Sequence, residues 1–135
     1  MEDYKEEFLQ YLLSKNALKI AADPNSFFQL KSGRLSPSFV SLGSLTDGKS
    51  LIKLRRCYGR AALNGLTEGV LTDFQYVFGP AYKVITLGAL TCEGLEEIGG
   101  KSAALLYDRK EEKRHGEVAG GAEAARVIVG AESYQ

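Results

Sequence analysis

Three consecutive segments constrain the fold more than any other part of the chain. They are an apolar run closed by Gly-Pro, a helical pattern closed by Gly-Gly, and a second apolar run. The first ends in "YVFGP", residues 76–80, and its short apolar composition suits a buried strand. The second, "VITLGALTCEGLEEIGG", residues 84–100, reads as a helix stopped by Gly99 and Gly100. The third, "SAALLYD", residues 102–108, is the next strand. Strand, helix and strand in that order make a βαβ unit, whose two strands must run parallel. Another helix fits about 48–66, with Leu51, Leu54, Tyr58 and Ala61 on one face, and "RVIVGA" near the end supplies a last strand. The fold class is therefore α/β, a parallel sheet flanked by helices.

The first third lies outside that alternation. Tyr4, Phe8, Leu9, Leu12 and Leu13 recur at three- and four-residue spacing, which predicts a helix over about 3–21. "ADPNS" ends it, because Pro24 restricts Asp23. "FFQLKSG" and "SPSFVSLG" read as two short strands linked by the turn "SGRLSP". These elements form a small N-terminal hood. The expected organisation is one domain over 1–135, with helix and hood at about 1–47, an α/β core at about 48–135, and a loop at about 108–122.

Composition narrows the partners. Lys+Arg and Asp+Glu are equal at 17 each, so no basic excess points to nucleic acid. No apolar run reaches the length of a membrane span, and "MEDYKEEFLQ" lacks a secretory pattern, which makes the cytoplasm the expected location. Cys57 and Cys92 have no C-x-x-C spacing, and the chain has one histidine, so they read as reduced, partly buried thiols rather than metal ligands.

Three segments can carry chemistry. "FGPAYK", Phe78 to Lys83, lies where a strand passes into a helix, the edge at which α/β sheets bind ligands. Unpaired N–H groups there favour anions, and Lys83 adds a charge. The plain alternative is a turn with a surface lysine. "LKSGRLSPSF", Leu30 to Phe39, sets Lys31 and Arg34 around Gly33 and offers Phe39 for stacking. Its plain alternative is a hairpin with solvated charges. "DRKEEKRHGE", Asp108 to Glu117, holds Arg109, Lys110, Lys113, Arg114 and His115 just after an apolar strand. It is either a cationic lid for an anionic substrate or a solvated face. No G-x-x-x-x-G-K-[ST] and no G-x-S-x-G occurs, so neither a P-loop nor a hydrolase elbow is present.

Taken in order, "FQLKSGRLSPSF", "FGPAYK" and "DRKEEKRHGE" resemble the orotate phosphoribosyltransferase family, from about residue 4 to about 117. The resemblance implies a type I phosphoribosyltransferase fold and a reaction between orotate and phosphoribosyl pyrophosphate. It implies magnesium, bound mainly through the donor, and a homodimer whose subunits exchange the mobile loop. By position in the family pattern, Lys31 lies near the base and the ribosyl donor, Phe39 lies in the segment that packs on orotate, and Tyr82 and Lys83 belong to the pyrophosphate-binding turn. Arg109, Lys110, Lys113 and His115 match the catalytic loop, with Lys113 as its main cation.

The departures are specific. Val84 stands where the family has glycine, and a Cβ there raises the prospect of a clash with a phosphate or of a strained φ. The aromatic pair usual after "SP" is reduced to Ser38, Phe39 and Val40. "EVAGGAEAARVIVGA" carries extra residues. The family's Asp-Asp pair, which precedes the loop for the donor's ribose and 5-phosphate, does not occur in the 135 residues. The expectation is an incomplete phosphoribosyltransferase with weak or no turnover by itself. The alternatives are a non-catalytic binding or regulatory module on the same fold, or an interaction fragment whose charged loop takes no ligand.

Overall fold

The computed structural model describes residues 3–110 and 128–130. They fall into two compact units, Met1–Lys53 and Leu54–Gln135.

In the first unit, helix α1 (Asp3–Ser14) is shorter than its apolar spacing suggests. Asn16, at φ 53°, turns the chain left-handed, and the Ala17 and Asn16 amides donate back to Leu12 and Leu13 carbonyls at 2.8 and 3.1 Å. This is a Schellman closure, with asparagine in the place glycine usually takes. Leu18–Ile20, expected as helix, is strand β1 instead. Its partner is β4 (Ser38–Val40), antiparallel, with Lys19 opposite Phe39. Strands β2 (Phe28–Gln29) and β3 (Leu35–Ser36) form a hairpin of their own. The second expected strand is thus divided at Pro37, which has no N–H to donate: β3 pairs with β2, and β4 with β1. Leu12, Ala17 and Leu45 are the buried apolar residues of this unit.

Helix α2 (Gly48–Thr67) begins in the first unit and runs into the second. Asp47 caps its first turn, accepting from the Ser50 amide at 3.3 Å.

The second unit holds the expected βαβ. Strand β5 (Tyr76–Gly79), helix α3 (Lys83–Gly99) and strand β6 (Ala104–Asp108) follow in order. The two strands are parallel neighbours, with Tyr76 opposite Ala104 and Gly79 opposite Tyr107. Gly100, at φ 62°, ends α3 where the Gly-Gly pair predicts. Strand β7 (Ile128–Val129) joins the other edge of β6 antiparallel, so the three-stranded sheet is mixed rather than wholly parallel. Leu54 and Leu95 are buried here. No helix among the described residues is long and apolar enough to cross a membrane.

Candidate functional site

Because β5 and β6 are parallel and in register, they end side by side. The turn Pro80-Ala81-Tyr82 leaves one, and Asp108-Arg109-Lys110 continues from the other. Such C-terminal strand ends are the ligand-binding edge of an α/β sheet.

The two segments are joined. Asp108 Oδ1 accepts a hydrogen bond from the Ala81 amide at 2.5 Å. The peptide between Ala81 and Tyr82 is cis. Tyr82 is the N-cap of α3 but makes no side-chain capping bond, so its side chain does not satisfy the N–H groups of the first turn. Its ring is 60% exposed, and Lys110 Nζ lies 5.4 Å from the ring centroid, a cation–π distance. Lys83, exposed, is the first residue of the helix, and Arg109 is half-buried. The sheet edge thus collects Tyr82, Lys83, Arg109 and Lys110. Three cations and a helix N-terminus at one edge can neutralise an anion that carries several charges.

Sequence reasoning passed over two residues here. Gly79 is one: a Cβ on it would lie 2.7 Å from the Val84 carbonyl oxygen and 2.9 Å from Ile85 Cα. Only glycine lets α3 fold back this closely over the end of β5. Its signal was a glycine set between an apolar strand and a proline. Asp108 is the other; it looked like the first member of a charge run. Val84, in turn, needs none of glycine's freedom. Among the described residues, Asn16 is the sole non-glycine with positive φ, and Val84 sits in regular helix, 41% exposed.

The remaining expected residues are distributed as follows. Lys31 is exposed in the β2–β3 turn, where Gly33 at φ 83° donates to the Leu30 carbonyl at 2.8 Å. Phe39 lies on β4, 39% exposed, with its ring 6.0 Å from that of Phe28. Both belong to the first unit. Lys113 and His115 lie outside the described residues, as does most of the loop expected at 108–122. Cys57 and Cys92 are free thiols, half-buried, and burial pushes both above the usual thiol range.

A βαβ unit with an anion-favouring turn, preceded in sequence by short antiparallel strands, makes an α/β protein with a ligand-binding sheet edge, in keeping with the type I phosphoribosyltransferase fold that the motifs imply. The crystal structure of orotate phosphoribosyltransferase from Francisella tularensis matches 93% of this chain and 50% of its own, with a TM-score of 0.65 and 29% identity. The orotate phosphoribosyltransferase of Schizosaccharomyces pombe is 42% identical over 114 residues, 84% of this chain and 48% of that protein. That of Agathobacter rectalis is 38% identical over 121 residues, 90% of this chain and 50% of that protein. No protein-family profile matches. The chain is similar to orotate phosphoribosyltransferases over most of its own length, and it spans about half the length of the curated relatives it matches.

Proposed function

We propose that this chain is part of an orotate phosphoribosyltransferase of pyrimidine biosynthesis. One observation carries the proposal: in a chain similar to this family, Tyr82, Lys83, Arg109 and Lys110 share one sheet edge around a helix N-terminus. In the reaction, the bond from the ribosyl carbon to pyrophosphate breaks and a bond to a nitrogen of orotate forms, that nitrogen losing its proton to pyrophosphate or solvent. The products are orotidine monophosphate and pyrophosphate. The leaving group takes the electron pair, so the site must hold the reactants in line and offset the charge that develops on pyrophosphate. No protein nucleophile is required.

The roles follow the family pattern. Tyr82 and Lys83 receive the pyrophosphate group, while Arg109, Lys110, Lys113 and His115 supply donors and charge as it departs. Lys31 and Phe39 serve the base, the lysine by charge and the ring by stacking. Magnesium would travel with the donor. Donor oxygens and water would supply its ligands. The ion would neutralise phosphate charge. The working form in this reading is a cytoplasmic homodimer that exchanges the catalytic loop.

The 135-residue chain by itself is expected to turn over weakly or not at all, because its sequence has no Asp-Asp pair to precede a ribose-phosphate loop. The same feature favours a second reading, a binding module that retains ligand contacts without turnover. Calorimetry with orotate, orotidine monophosphate and phosphoribosyl pyrophosphate separates the two. Donor affinity near that of a full-length relative supports the transferase. Binding of the base alone supports the module, and no binding of any of the three contradicts both.

A further inference from the structure

The hydrogen bond between Asp108 and Ala81 places a carboxylate against a cluster of cations, where its charge alone should repel an anionic ligand. Lys83, Arg109 and Lys110 gather at this edge with the N-terminus of α3. A carboxylate among them weakens their pull on a phosphate. Asp108 is half-buried, and its Oδ1 is taken up by the Ala81 amide rather than left to solvent. Ala81 is the residue just before Tyr82 and Lys83. The bond therefore spans 27 positions in sequence and fixes the turn to the strand end from which Arg109 and Lys110 emerge. Without it, the two halves of the cationic edge keep only the strand ladder behind them and the exposed Lys110–Tyr82 contact. Group placement to a fraction of an ångström decides how well such an edge holds a ligand.

We infer that Asp108 is a positioning residue: it holds the Pro80–Tyr82 turn in register with Arg109 and Lys110, so that both segments meet one pyrophosphate group. The inference rests on the reading of this edge as a pyrophosphate site, and it assigns Asp108 no contact with substrate. Charge and geometry make opposite demands on this side chain, which gives the test its sign. If Asp108 acts only through its charge, every variant that removes the charge tightens anion binding. If it positions the turn, only a variant that keeps an acceptor at the same reach preserves binding.

The test uses the full chain with inorganic pyrophosphate and magnesium, at fixed ionic strength, and compares Asp108→Asn, Asp108→Ala and Asp108→Glu. Asn keeps the acceptor without the charge; Glu keeps the charge and displaces the acceptor. The expected result is wild-type or tighter affinity for Asp108→Asn. Asp108→Ala and Asp108→Glu are each expected to weaken binding by about tenfold, as for a lost hydrogen bond to a charged group. Orotate affinity should not change in any of them, which separates positioning from a general loss of structure. Should Asp108→Ala fail to fold, the Asn and Glu pair decides alone. Tighter binding by Asp108→Ala, equal binding by all four proteins, or loss in Asp108→Asn overturns the inference. If the wild-type chain itself binds no pyrophosphate, the reading of the edge fails as well. If the wild type binds and the variants do not differ, only the role of Asp108 fails.

Discussion

Gly59 of α2 and Gly94 of α3 meet backbone to backbone. A Cβ on Gly59 would lie 2.6 Å from the Gly94 carbonyl carbon, and one on Gly94 would lie 2.2 Å from the Arg55 carbonyl oxygen. Alanine at either position gains about 1 kcal/mol of helix propensity. The atoms it would strike are main-chain atoms, which cannot rotate aside, so overpacking should win. Gly94→Ala and Gly59→Ala are each expected to lower stability by about 1–3 kcal/mol in urea unfolding. Unchanged or raised stability would mean that the two helices part easily.

Ser50 is fully buried and joins two elements of the first unit. Its hydroxyl donates to Asp47 Oδ1, so the Tyr11 hydroxyl, 2.9 Å from Ser50 Oγ, must be the donor in that contact. Ser50→Ala removes a partner from both neighbours and should cost about 1–3 kcal/mol. Tyr11→Phe should cost less, and the double variant less than the sum of the two, because the bonds share one atom. Additive losses would show that the bonds do not act together.

Two carboxylates set an acid limit. The hydrogen bond from the Ser50 hydroxyl holds Asp47 below the usual aspartate range of 3.8, and burial opposes it only partly. The Lys101 ammonium, by its hydrogen bond and its charge, does the same for Asp73, 2.7 Å away. With the folded-state values depressed, the unfolded chain binds more protons in acid. The stabilisation is present above pH 3.8 and is lost as pH falls through the folded-state values. Asp47→Asn and Asp73→Asn should each flatten the decline of stability in acid. Slopes identical to that of the wild type would remove these groups from the account.

Burial raises both thiols, Cys57 and Cys92, above the usual thiol range. The thiolate is the reactive form, so alkylation of the folded chain near neutral pH should be slow. Unfolding in denaturant should speed it at both positions. Rapid labelling of either cysteine in the native state would contradict its placement.

The βαβ core was legible because its signals are local. An apolar strand closed by Gly-Pro and a helix closed by Gly-Gly leave few other choices, and β5, α3 and β6 follow them. The helix expected over 3–21 ends at Ser14, because Ala17, Leu18 and Ile20 continue an apolar spacing that also suits a strand edge. Their pairing with β4 is a tertiary fact, and the left-handed turn at Asn16 has a weaker sequence mark than glycine. The antiparallel entry of β7 was hidden for the same reason. At the site, Tyr82, Lys83, Arg109 and Lys110 could be named from motif positions. The bond from Asp108 to Ala81 could not, since it depends on the register of two strands separated by a helix.

The most direct test of the central claim is a two-dimensional NMR titration of the isotopically labelled full chain with magnesium pyrophosphate. Amide signals of residues 79, 81–84 and 108–110 are expected to shift together and to saturate with one affinity, and Lys83→Ala with Lys110→Ala should abolish the shifts. Saturation with no movement in either segment, or movement confined to residues away from both strand ends, would contradict a pyrophosphate site at this edge.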